Sequence, residues 1–375
     1  MAGIYIHIPY CKKLCFYCDF FHVTAKGDLS GFAEGIKAEA MLRREYLGNE
    51  TIGTIYFGGG TPSVFSAREL AGILESLARL FHIDEGSEIT VELNPDDVDS
   101  NYLKDLKQAG FNRISLGVQS WNDDDLKLMN RRHDSSIAAT ALNACLDEFS
   151  NVSMDLIYGI PGMTLEMWER NLDKTFAFDI KHLSAYHLTF EKGTVFGKML
   201  EKGLIAEADE ELSTQMFHML IRKAEEAGFV QYEISNFGKE GFFSRHNTNY
   251  WKQVNYLGLG PSAHSFNGFS RQWNKSDIKS YLKAIAAGTT EYETEELDTR
   301  TKFNEYIMVS FRTMWGVDLG YIENTFGREE YDYLINMSSK FRRYGLMNFS
   351  NNHLVLSDQG KMISDNIISE FMMTD

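Results

Sequence analysis

From residue 4 to about residue 190, short apolar, β-branched runs alternate with longer amphipathic stretches, and that alternation leaves few architectures open. The strand candidates are residues 4–8, 54–57, 89–92, 113–117, 153–156 and 183–188. Between them lie helical patterns at 32–46, 67–81, 100–109, 135–148 and 165–178, opened by caps such as Ser66 and Thr164 and in one case closed by Gly110. A strand that returns through a helix comes back parallel to the first, so repeated units predict a parallel sheet covered by helices. Six units are two short of a closed eight-strand barrel. The expectation is an α/β fold with a partial, open parallel βα barrel, and a doubly wound sheet is the second choice.

The later chain changes character. Residues 206–227 form a long amphipathic helix pattern, which would end the barrel unit at 1–230. An aromatic, Gly- and Asn-rich stretch follows as a connecting region, 231–296. From 297 to 375 the pattern is three helices (302–314, 319–326, 330–344), a short hairpin and a last helix (357–371), which predicts an α-rich winged-helix-like domain. That domain carries 8 basic and 11 acidic side chains, and the whole chain 37 basic and 53 acidic, a net charge of −16. Without a basic stripe, such a surface repels phosphate backbones, so nucleic acid is not an expected partner. Hydrophobic residues at 43% with only five prolines describe a continuously folded chain. No basic leader and no run of 18 apolar residues is present. A cytoplasmic protein, at most peripheral to a membrane, is expected.

Parallel α/β architectures put chemistry at the carboxyl ends of the strands. Here those ends carry the cysteine cluster after the first strand, Gly58-Gly59-Gly60-Thr61 after the second, Glu92 and Asn94 after the third, Gln119 after the fourth and Asp155 at the fifth. Cys11, Cys15 and Cys18 form a C-x3-C-x2-C loop. Three thiols so close suit a metal centre in a reducing compartment. Zinc would want a fourth ligand, from His7 or His22. An iron–sulfur cubane held by three thiolates keeps one iron open for an outside ligand. Cys145, alone in a helical run, reads as a structural thiol.

The cysteine spacing, with an aromatic before the last thiol, resembles the signature of the radical S-adenosylmethionine (SAM) enzymes. So does Tyr56-Phe-Gly-Gly-Gly-Thr-Pro62 after the second strand. Tyr5-Ile-His-Ile-Pro-Tyr-Cys11, Glu92-Leu-Asn-Pro95, Gly117-Val-Gln119, Asn130-Arg131 and Asp155-Leu-Ile-Tyr-Gly-Ile-Pro161 are similar, in order, to motifs of the coproporphyrinogen dehydrogenase-like branch. The resemblance implies a [4Fe–4S] cluster on Cys11, Cys15 and Cys18. It also implies SAM contacts from Tyr5, Tyr17, Gly59, Gly60, Thr61, Glu92, Gln119, Arg131 and Asp155.

Within that branch two features depart from the dehydrogenase. Its motif continues to a fourth cysteine where this chain has Phe20, and it carries a longer segment ahead of the cluster. Both resemble instead the HemW subfamily of haem chaperones, as does the segment His246-Asn247-Thr-Asn-Tyr250-Trp251. That resemblance implies haem as cargo, haem-accepting proteins such as respiratory cytochromes as partners, and compatibility with a homodimer. His246, Asn247, Tyr250 and Trp251 become candidate haem contacts, with His187 and His264 as further candidate ligands. Coproporphyrinogen dehydrogenase activity is not expected. The alternative reading is that activity itself, a radical SAM oxidative decarboxylation of propionates.

Overall fold

The computed structural model describes residues 1–27 and 29–374. Seven parallel strands form its centre: β1 (Ala2–Ile8), β2 (Ile52–Gly59), β3 (Ile83–Leu93), β4 (Arg113–Gln119), β5 (Val152–Tyr158), β6 (His182–His187) and, far along the chain, a strand at Tyr256–Leu259 that pairs with β1. Two antiparallel additions flank them. Val230–Gln231 (β7) and Asn236–Gly238 (β8) lie beyond β6, and His264–Phe266, Ser270–Asn274 and Tyr292–Glu296 (β10 to β12) lie beyond Tyr256–Leu259 (β9). The sheet order is β12-β11-β10-β9-β1-β2-β3-β4-β5-β6-β8-β7. Among the described residues its two ends do not pair, so the barrel is open as the sequence predicts.

Residues 231–296, read in the sequence as a connecting region, therefore supply strands to this one sheet. The seventh parallel strand escapes the alternation argument because it is only four residues long and follows a short helix that ends four residues before it. What holds it is tertiary. Glu39, buried on the helix Ser30–Leu42, accepts from Gly260 N (2.7 Å), Asn274 Nδ2 (2.6 Å) and Tyr281 Oη (2.7 Å). A buried carboxylate must collect such donors to offset its desolvation.

The helices follow their sequence signals. Ser66 caps Ala67–Leu80 in a reciprocal box with Glu69, Thr164 caps Leu165–Phe176, and Gly110 closes Ser100–Gln108 with φ at 103°. The pattern at 357–371 breaks at Ile363 into Asp358–Met362 and Ser364–Phe371. The break lets Ile367, Ile368 and Phe371 enter a second apolar core with Phe303, Phe311 and Leu334, separate from the core around the barrel. This C-terminal unit carries a three-stranded sheet of Val317–Asp318, His353–Leu356 and Met347–Ser350 against its helices, the winged-helix-like arrangement expected. Among the described residues no helix is long and apolar enough to cross a membrane.

Candidate cluster and SAM site

β-strand alternation decides what faces the barrel interior. On β4 it points Arg113, Ser115 and Gly117 inward; on neighbouring strands the register adds Thr90 and Glu92 opposite Arg113 and Ser115, and Asp155 beside Ser184. The carboxyl ends of β1 to β6 open onto a cavity of ≈ 500 Å³. Cys11, Cys15 and Cys18 line it together with Tyr17, Gly59, Gly60, Thr61, Glu92, Gln119, Arg131 and Asp155. The three cluster cysteines and eight of the nine expected SAM contacts thus meet in one space, and Asn247 and His187 line it as well. Tyr5 lies outside it, in an adjoining cavity, with its hydroxyl on His7 Nδ1 (3.1 Å).

The glycine triplet is there for backbone reasons. Gly59 has φ at 107°, a conformation that penalises any Cβ. At Gly60 a Cβ would sit 2.8 Å from the Ile8 carbonyl oxygen, so only glycine lets β2 leave the rim this close to β1. Gly59 N donates to Glu92 Oε2 (3.3 Å), and Tyr56 Oη donates to Glu92 Oε1 (2.8 Å). Burial, reinforced by Asp155, still pushes the Glu92 carboxyl up to about 7. Burial likewise raises Asp155, which accepts from Ser115 Oγ at 3.2 Å. Gln119 holds a left-handed backbone, φ at 69°, which a non-glycine residue adopts only where its surroundings impose it.

Arg131 spans the rim. It donates to Asn94 Oδ1 (2.6 Å), to the Gly117 carbonyl (2.7 Å) and to Cys15 Sγ (3.4 Å), and Thr61 Oγ1 donates to Cys11 Sγ (3.3 Å). Burial pushes the thiol of Cys18 up to about 12. Donors aimed at two sulfurs, and sulfurs raised by desolvation, suit thiolates that a bound cationic centre would stabilise. Among the described residues no three His, Cys, Asp or Glu groups converge on a point where a single ion would sit. A tetrahedral zinc needs its sulfurs roughly 3.8 Å apart, whereas a multi-iron cluster takes one thiolate at each of several corners. His7 is not available as a fourth ligand, since its Nε2 pairs with the Phe21 carbonyl (2.9 Å) and its Nδ1 with Tyr5. His22 does line the cavity, with Nδ1 on the Phe20 carbonyl. Cys145 is fully buried in its helix, away from this rim.

The His246 motif falls on a short helix, Arg245–Trp251, rather than in a loop. His246 is 2% exposed and both its nitrogens are taken, Nδ1 by Thr54 Oγ1 (2.8 Å) and Nε2 by Tyr250 Oη (2.9 Å). It has no lone pair free for iron in this state. Asn247 and Tyr250 line an aromatic cavity of ≈ 760 Å³ with Tyr5, Phe20, Phe21 and His264. Trp251 faces a different cavity, against Trp315 and Tyr306 of the C-terminal unit, so the four motif residues do not share one site. His187 pairs with Ser213 Oγ (3.0 Å). His264 is exposed in the aromatic cavity, stacked on Trp273 at 6.0 Å.

Arg113, Tyr56, Ser115 and Tyr186 also line the cysteine cavity and were not singled out in the sequence. Their signal was present as a polar residue at every second position of otherwise apolar strands, which in a barrel marks the interior.

The profile of the Radical SAM superfamily matches residues 5–175. Fold, rim and profile define a radical SAM protein. The chain is 32% identical over 376 residues to the Heme chaperone HemW of Bacillus subtilis (strain 168), covering 99% of both, and 30% identical over 373 residues to that of Mycobacterium tuberculosis, covering 98% of this chain and 93% of the relative. It belongs to the HemW heme chaperone family. The solved coproporphyrinogen III oxidase (HemN) from Escherichia coli superposes with a TM-score of 0.86, covering 99% of this chain and 90% of that one; at 20% identity this is a likeness of fold.

Membership implies a [4Fe–4S] cluster and SAM, and the donor set fits both. Cys11, Cys15 and Cys18 would hold the cluster; Glu92, Gln119, Arg131 and Asp155 offer the acceptors and donors that an ammonium, a carboxylate and ribose hydroxyls require. Such a cluster, when bound, supplies an open iron that chelates SAM and an electron that can be passed to it.

Proposed function

We propose that this protein is a haem chaperone that binds haem and hands it to acceptor haemoproteins such as respiratory cytochromes, with the cluster and SAM in a regulatory or structural role. The full-length match to chaperones of this name carries the reading. Two features of the chain support it. Phe20, where the oxidase motif has its further cysteine, is 65% exposed and lines both the cysteine cavity and the aromatic one. The aromatic cavity offers flat ring faces to a porphyrin, and His264 is its histidine without a hydrogen bond to any described residue. We assign haem iron to His264 and a framing role to His246, Asn247 and Tyr250.

Anaerobic reconstitution, followed by parallel assays of haem binding, SAM cleavage and coproporphyrinogen conversion, tests the proposal. The expected outcome is stable haem binding with no protoporphyrinogen formed. Conversion of coproporphyrinogen at about 1 s⁻¹ or faster overturns it.

A further inference from the structure

Arg113 opens β4 and is 1% exposed, among the largest fully buried side chains of the protein. It makes no hydrogen bond or ion pair with any described residue, and its Nε is enclosed without a partner. Its side chain nonetheless lines the cysteine cavity, beside Glu92, Ser115, Asp155, Ser184 and Tyr186. Directly opposite in register, on β3, Thr90 is 0% exposed and its hydroxyl also lacks a partner. Glu92 and Asp155 lie within electrostatic reach of the guanidinium but make no hydrogen bond to it: Glu92 is held by Tyr56 and Gly59, and Asp155 by Ser115. A buried guanidinium with carboxylates nearby but none hydrogen-bonded to it keeps its donors for something brought into the cavity.

We propose that Arg113, aided by Thr90, anchors a carboxylate of the bound ligand at the floor of the barrel. A guanidinium fork suits a carboxylate in bidentate fashion. The position argues which carboxylate. Arg131 contacts the Gly117 carbonyl at the rim, four residues along the same strand from Arg113, and at about 3.3 Å per residue the two backbone positions lie roughly 13 Å apart. On that separation we take a carboxylate at the cysteine rim and one at Arg113 as separate groups. SAM has a single carboxylate, whereas a tetrapyrrole carries propionates of its own, so the floor suits a propionate. This assignment to the cargo rests on the haem-chaperone reading.

The test titrates cluster-loaded wild type, Arg113→Met and Arg113→Lys with haem, haem dimethyl ester and SAM. Arg113→Met should weaken haem binding by about tenfold or more and leave SAM within about twofold. Arg113→Lys, keeping charge without the fork, should fall between. The ester should bind wild type as weakly as haem binds Arg113→Met, with no further loss in the variant. Loss of SAM binding alone keeps the anchor and transfers it to the SAM carboxylate. Wild-type affinity of Arg113→Met for both ligands overturns the proposal. If the variant does not fold, equal affinity of wild type for haem and its ester overturns it just as well. If wild type binds no haem at all, the chaperone reading fails while the SAM titration still decides for Arg113.

Discussion

The cysteine rim and the helix Arg245–Trp251 both carry the residue types that bind cofactors, yet they are finished differently. At the rim, polar groups are left with capacity to spare: Arg131 Nε has no partner, carboxyls are raised by burial, and donors point at sulfur. On the helix, His246 is closed on both sides by Thr54 and Tyr250, and its backbone N–H is capped by Glu88 Oε1 (3.0 Å). Incomplete satisfaction marks a place built to receive something, because an unmet buried group is costly until a ligand meets it. A histidine met on both ring nitrogens braces its neighbours in this state. The comparison separates a rim with polar capacity to spare from a histidine whose ring nitrogens are already engaged.

The hardest way to break it is at the cysteines. Replacing Cys11, Cys15 or Cys18 by Ala should each abolish the iron and the visible absorption of the anaerobically reconstituted protein, while Cys145→Ala should leave both. Wild type carrying zinc without sulfide would defeat the rim assignment.

Next comes the carboxylate pair. Glu92→Gln and Asp155→Asn should each weaken SAM binding by about 1–3 kcal/mol in calorimetry, with the cluster spectrum intact. Glu92 also has a pH signature in the cluster-free protein. Its native pKa, near 7, lies above that of the unfolded chain. The native state therefore binds more protons between about 4.5 and 7, and wild-type stability must fall as pH rises through that window. Glu92→Gln should flatten this slope, a difference of up to about 3 kcal/mol by pH 8; parallel urea melts across the window that coincide at every pH would count against it.

His246 sharpens the other side of the comparison. Burial holds its imidazole down to about 3, below the unfolded value near 6.5. The unfolded chain takes the proton first, so the stability this residue supports is complete above about 6.5 and is lost as pH falls toward 3. His246→Phe should cost about 1–3 kcal/mol at neutral pH by stranding Thr54 and Tyr250, and should remove that acid-side slope. It should leave the Soret band in place, whereas His264→Ala should shift it. The reverse pattern would make the helix the haem site.

The smallest effect is expected at Trp251, partly exposed between the barrel and the C-terminal unit. Trp251→Ala should change thermal stability by about 1 kcal/mol or less and touch neither cluster nor SAM. A lost Soret band in this variant would restore it as a haem contact.

Much of this protein is written in local sequence. Alternation of apolar runs placed β1 to β6, caps at Ser66 and Thr164 placed helix starts, and the strand-end rule brought Cys11, Thr61, Glu92, Gln119 and Asp155 to one rim, since each depends on periodicity within a few residues. Three things depend on contacts between distant segments and could not be read that way. The seventh parallel strand exists because Glu39, more than 200 residues away, collects donors around it. His246 has both ring nitrogens engaged because Thr54 of β2 and Tyr250 of its own helix close on it from two sides. Arg113 looked like any basic residue at the start of a strand, and only the curling of the sheet into an open barrel buried its charge without a hydrogen bond, because burial and partnership are properties of the assembled interior and not of a residue's neighbours in sequence.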